Sequence, residues 1–219
     1  MAIKLCIFDL DGVICNTAKY HYLAWKELAD GLKIPFDLKD NERLKGVSRM
    51  DSLEIILSLG NRENMPEEEK LAMADRKNTR YVEMISKMER DEILPGVEEF
   101  LTGLHEKGIK IALGSASKNT SIIMECLGLQ QIFDYIVDGT MVTKSKPDPE
   151  VFVKSMEYYG LKPEECIVFE DAAAGVEAAH RGGMRCVGIG SKEDLPEADY
   201  ITPGFAEVSA DTILGIFGE

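Results

Sequence analysis

Long apolar runs, paired cysteines and positive charge are the three scarce things in this chain of 219 residues. No apolar stretch approaches the roughly 20 residues that span a bilayer. The run Ile3 to Phe8, close to the start, lacks the long hydrophobic region and small-residue cleavage site of a signal peptide. The five cysteines, Cys6, Cys15, Cys126, Cys166 and Cys186, are odd in number, scattered, and form no CxxC pair or metal-ligand spacing. Reduced thiols in a cytoplasm are therefore expected. Only 25 basic residues stand against 39 acidic ones, a formal charge of -14 that repels nucleic acid and anionic membranes. The expected partner is a small molecule. If it carries phosphate, a few Lys and Arg side chains must create a local positive pocket.

The short apolar runs Ile3 to Phe8, Ile109 to Leu113, Cys166 to Phe169 and Arg185 to Ile189 read as buried parallel strands. Helical patterns lie between them: Val97 to Glu106, Asn119 to Leu127, Pro149 to Tyr158 with Asp148 as cap, and Ala172 to Arg181 closed by Gly182-Gly183. This alternation predicts a doubly wound, Rossmann-like α/β parallel sheet. The first strand, however, is not followed by a second for about a hundred residues, far beyond the usual crossover length. Helical patterns fill the gap: Tyr22 to Leu32, Ser52 to Leu59 and Pro66 to Met88. The expected organisation is an α/β core, residues 1–16 and 89–219, with a helical cap, residues 17–88, inserted after the first strand.

Four constellations carry chemistry. Asp9 and Asp11 end the first strand with two carboxylates spaced by two, tolerable beside a divalent cation or a cationic side chain. Taken alone they read equally well as a solvated turn. Glu170-Asp171 ends another strand, and would otherwise be ordinary acids at a helix start. Together the two pairs supply the few carboxylate oxygens that magnesium takes alongside a substrate phosphate. Gly114-Ser115-Ala116-Ser117-Lys118-Asn119 joins a strand to a helix with small residues that let backbone approach a phosphate. Lys146, restrained by Pro147, can offer an ammonium to a phosphoryl oxygen.

In this order, Asp9-Leu10-Asp11-Gly12, Ser115, Lys146 and Glu170-Asp171 resemble the four motifs of the haloacid dehalogenase superfamily, across the whole chain. The resemblance implies an aspartyl-phosphate on Asp9 and Asp11 as general acid and base. It implies Mg2+ held by Asp9, the Asp11 backbone carbonyl and Glu170 or Asp171, with Ser115 and Lys146 on the phosphoryl group.

Within the superfamily, the segments Asn16 to Trp25, Lys45 to Leu53 and Ser115 to Asn119 are similar to the β-phosphoglucomutase family. That resemblance implies interconversion of β-D-glucose 1-phosphate and β-D-glucose 6-phosphate, with catalytic β-glucose 1,6-bisphosphate as activator. It adds Thr17 and His21 to the catalytic set. Gly46, Val47, Ser48, Arg49 and Ser52, with Trp25 and either Lys77 or Arg76, join the substrate-binding set beside Ala116, Ser117, Lys118 and Asn119. A guanidinium grips phosphate in a fork, so Arg49 is expected to clamp the idle phosphate of a bisphosphate. Ala172, where a serine is frequent, and Cys15, where relatives carry an acidic or hydroxyl residue nearby, depart from the pattern. A monomer is expected. A sugar-phosphate phosphatase with the same core is the alternative, and a silent sugar-phosphate sensor has little room beside an intact nucleophile.

Overall fold

The computed structural model describes residues 2–44 and 47–218. In chain order, β1 (Leu5–Phe8) is followed by the helices α1 (Ala18–Gly31), α2 (Leu38–Glu42), α3 (Arg49–Leu59) and α4 (Glu67–Ile85). Then come α5 (Val97–Glu106), β2 (Lys110–Gly114), α6 (Thr120–Leu127), β3 (Tyr135–Val137) and α7 (Glu150–Tyr158). The chain ends with β4 (Cys166–Glu170), α8 (Ala173–Arg181), β5 (Arg185–Ile189), β6 (Tyr200–Thr202) and α9 (Ala210–Phe217). Two compact units result, Met1–Asn16 with Glu89–Glu219, and Thr17–Met88.

The first unit is built on a six-stranded sheet in the order β3-β2-β1-β4-β5-β6, with every pairing parallel. This is the doubly wound α/β class that the alternation of apolar runs predicts. Parallel strands are covered on both faces, which is why β1 is buried along its whole length. Its alternate residues feed two cores. Leu5 and Ile7 pack with Val168, Phe152 and Val176. Phe8 points the other way, stacked on Phe169 at 4.4 Å, with Phe100 and Phe205 edge-on or tilted around the pair. The strand order reverses between β1 and β4, and ligands bind at the carboxyl ends beside such a switch point. Asp9 and Glu170 lie there.

The second unit is helical throughout its regular structure. Trp25, Leu28 and Ala29 of α1 pack with Leu53, Ile56 and Leu57 of α3 and Ala74 of α4 around one small core. The sequence pattern misplaces several boundaries. Helix α1 begins four residues before the expected Tyr22, and α4 ends at Ile85 rather than Met88. Pro149 is the N-cap of α7 rather than its first residue, while Asp148 Oδ1 accepts from the Glu150 amide at 3.1 Å. The five-residue helix α2 and the three-residue strands β3 and β6 are too short to show a period, whereas α9, which buries Ala210, Ile213 and Phe217 at helical spacing, lies beyond the segments read from the sequence.

Candidate active site

Asp9 extends β1 by one residue, its amide donating to Phe169 O of β4 at 3.0 Å. This carries the carboxylate just past the sheet, where Oδ2 accepts from the Asp11 amide at 2.9 Å. Lys146 donates to Asp9 Oδ1 at 2.5 Å and also to Glu170 Oε1. The other Glu170 oxygen accepts from the Ala172 amide at 2.8 Å. All three groups are buried, Glu170 to 1 % exposure. Burial works against the Lys146 ammonium, but the Asp9 and Glu170 carboxylates outweigh it and hold the lysine protonated well above its ordinary range. Lys146 Nζ also lies over the Phe152 ring, 4.8 Å from its centre.

Two glycines keep the carboxylates where they are. A side chain at Gly175 would come within 1.9 Å of Glu170 Oε1. At Gly12, where φ is +78, an added Cβ would lie 2.1 Å from Asp171 Oδ2, so Asp171 sits directly against the Asp9–Gly12 turn. Ser115 follows β2, the neighbour of β1, and its amide donates to Val137 O at 3.0 Å. Ser115 Oγ accepts from the Ser117 amide and Ser117 Oγ from the Asn119 amide, both at 3.2 Å, so the hydroxyls wind the loop into the start of α6. Ser115 is buried, Ala116 and Lys118 are exposed, and Ser117 and Asn119 are intermediate. Asp9, Ser115, Lys146 and Glu170 thus belong to one edge of one unit.

Among the described residues, no group of three or more His, Cys, Asp or Glu side chains is arranged to hold a metal ion. The donor set nonetheless suits magnesium, which takes one or two carboxylates and completes its shell with water and substrate phosphate. Burial raises the Glu170 pKa against the pull of the Lys146 ammonium, and Asp171 adds a third carboxyl group close by. Of the acidic pair, Glu170 is engaged by Lys146 and the Ala172 amide, whereas Asp171 is the one against the turn.

The helical unit gathers a second set. Lys77 Nζ lies 2.9 Å from His21 Nδ1. An ammonium only donates, so Nδ1 is the acceptor and His21 is neutral with its proton on Nε2. Burial, then Lys77, then Arg49 hold the His21 pKa well below 6.5. Lys77 also lies over the Trp25 and Tyr81 rings, at 4.5 and 4.7 Å from their centres. Lys77 is buried and Arg76 exposed, which separates the two cations left open by the sequence. Arg49 opens α3 behind the N-cap Ser48, half-buried, with Asp75 Oδ1 4.0 Å away. Trp25 and Ser52 are buried, 2 % and 3 % exposed. Trp25, expected to bind substrate, has its ring under Lys77. Thr17 is buried at the N-cap of α1, where its carbonyl accepts from the Tyr20 and His21 amides. Val47 is partly buried, its amide donating to Leu44 O, and Gly46 lies outside the described residues. Sequence reasoning passed over Phe152 and Glu150, because an apolar helix residue reads as core and an acidic residue at a helix start as routine.

Residues 3–183 match the haloacid dehalogenase-like hydrolases, and the chain belongs to that family. Within it, the β-phosphoglucomutase of Bacillus subtilis (strain 168) is 41 % identical over 211 residues, 96 % of this chain and 93 % of its own. A crystal structure of a β-phosphoglucomutase from Clostridium difficile, also 41 % identical, superposes with a TM-score of 0.94 over 99 % of this chain and 97 % of that one. The phosphorylated carbohydrates phosphatase of Thermotoga maritima is 29 % identical over 97 % of both chains.

Proposed function

We propose that this protein is a magnesium-dependent β-phosphoglucomutase, interconverting β-D-glucose 1-phosphate and β-D-glucose 6-phosphate through an aspartyl-phosphate and a 1,6-bisphosphate. The observation that carries this reading is that the chain has two cationic sets. Lys146 stands with Ser115 beside the nucleophile, and Arg49 with Lys77 on the helical unit. A bisphosphate has two phosphates to be held, whereas hydrolysis of a monophosphate needs only the first set. The 41 % identity to a named β-phosphoglucomutase supports the same choice of sugar.

Phosphorylated Asp9 donates its phosphoryl group to the C6 hydroxyl of the 1-phosphate, and Asp11 takes the proton from that hydroxyl. The bisphosphate reverses, Asp9 recovers the C1 phosphoryl group, and Asp11 returns a proton to the leaving oxygen. Lys146 and Ser115 stabilise the charge spread over the transferring oxygens. Arg49 holds whichever phosphate is idle. Magnesium would be held by Asp9, the Asp11 main-chain carbonyl and Asp171, where it would offset charge on the phosphoryl oxygens. Glu170 would then act by placing Lys146. A monomer in a cytoplasm suits this chemistry, and among the described residues no helix is long and apolar enough to cross a membrane.

Replacing Arg49 with alanine separates the two cationic sets. Turnover of β-D-glucose 1-phosphate should fall by about a hundredfold or more, the order expected for losing a forked phosphate contact. Phosphorylation of Asp9 by acetyl phosphate should persist. Equal loss of both would remove Arg49 from the substrate.

A further inference from the structure

Lys146 owes its place to a segment without regular structure, the stretch between β3 and α7. Such a segment must be fastened by side chains if an ammonium at its far end is to stay within hydrogen-bond reach of two carboxylates. Near its start, the Gly139 amide donates to Ser117 O at 3.1 Å, tying it to the loop that carries Ser115. Close to Lys146, the Asp148 amide donates to Ser145 O at 3.0 Å and Lys144 Nζ lies 3.2 Å from Asp148 Oδ2, while the main-chain donors just before the lysine converge on one carboxylate. Glu150 Oε2 accepts from the Thr143 amide at 2.8 Å, the Lys144 amide at 2.9 Å and the Thr143 hydroxyl at 3.1 Å. Its other oxygen faces Lys154 Nζ at 3.5 Å. Three donors on one oxygen, led by the Thr143 amide, pull the Glu150 pKa down to about 2. Glu150 is itself fixed, since it is the first residue of α7 and its amide donates to Asp148 Oδ1. The same helix carries Phe152, over which Lys146 lies.

We infer that Glu150 is a positioning residue for Lys146: by gathering the amides of Thr143 and Lys144 onto the start of α7, it sets the ammonium between Asp9 and Glu170. The residue touches no reacting atom. It works through main-chain donors two and three positions before the lysine, with α7 as the fixed body. Its value for turnover rests on the proposed phosphoryl transfer, but its effect on Lys146 does not.

The test reads Lys146 directly. In the full-length protein, each lysine is acetylated with a low dose of acetic anhydride and its labelling rate is followed by mass spectrometry. In Glu150→Ala, Lys146 should label about fivefold faster or more, because local opening frees the ammonium from its carboxylates. Lys70, buried against Glu54 in the other unit, should keep its rate. Glu150→Gln should restore slow labelling, since the amide oxygen can take the Thr143 and Lys144 donors while its NH2 group occupies the other position. Lys154→Ala should leave Lys146 unchanged. If Glu150→Ala does not fold, Glu150→Asp replaces it, because one methylene less keeps the charge and releases the amides. In the wild type, the Thr143 and Lys144 amides should exchange slowly with deuterium although they lie in no helix or strand. Unaltered Lys146 labelling, a parallel rise at Lys70, or freely exchanging Thr143 and Lys144 amides would each overturn the inference. A chain that proves to be a phosphatase would not.

Discussion

Lys146 is the residue on which the charge balance of the site turns. Between two buried carboxylates, its loss leaves Asp9 and Glu170 without their counter-charge, and breaking a buried pair from one side costs about 3–5 kcal/mol. Lys146→Ala should therefore lower the urea midpoint as well as abolish phosphoryl transfer. Loss of turnover with unchanged stability would mean that the ion pair is not buried. His21 gives a pH signature. Its pKa is depressed on folding, so between the folded value and about 6.5 the unfolded chain binds more protons, and stability rises with pH through that window. Stability should fall as the pH drops below about 6.5, and His21→Gln should flatten that limb in urea melts from about pH 5 to about pH 7.5. At this scale the sequence was most legible where a polar residue falls at a strand end, as at Asp9, Ser115 and Glu170. It was least legible where a residue acts through another. Nothing in the run Glu150 to Phe152 distinguishes a loop anchor and an aromatic wall from an ordinary amphipathic helix start. That Lys77 rather than Arg76 meets His21, 56 positions away in the chain, likewise shows only in the structure.

At the scale of elements, the sheet order matters more than any single strand. Placing β1 beside both β2 and β4 brings the residues after Phe8, Gly114 and Phe169 to neighbouring positions. The motifs, scattered over some 160 residues of sequence between Asp9 and Asp171, meet for that reason. Sequence periodicity found β1, β2, β4 and β5 because each is a continuous apolar run. It missed β3 and β6, edge strands of three residues of which only the last, Val137 and Thr202, is fully buried, too short for a period to show. Helix α3 is capped by Ser48. Ser48 Oγ accepts from the Asp51 amide at 3.2 Å and donates to Asp51 Oδ2 at 2.5 Å, immediately before Arg49. Ser48→Ala should cost about 1 kcal/mol of stability. If Arg49 holds the idle phosphate, the same change should raise KM for the sugar phosphate more than it lowers kcat. An unchanged KM would separate the cap from substrate binding.

At the scale of the whole molecule, the question is what a sugar hydroxyl gains over water. With water at about 55 M and sugar near 0.1 mM, tenfold preference for the sugar requires roughly 9 kcal/mol of differential transition-state stabilisation. If Arg49 holds the idle phosphate, water presents no such group to it, and binding energy from that contact would be available only to the sugar phosphate. A net charge of -14 works against anions in general, so local cations such as Lys146 and Arg49 must supply the attraction for a phosphate. The most direct test is to mix the protein with magnesium, β-D-glucose 1-phosphate and a trace of the 1,6-bisphosphate, and to follow glucose 6-phosphate and free phosphate together. Fast glucose 6-phosphate with little free phosphate is the expected result. Free phosphate without isomerised sugar would contradict it and move the same Asp9 chemistry to hydrolysis.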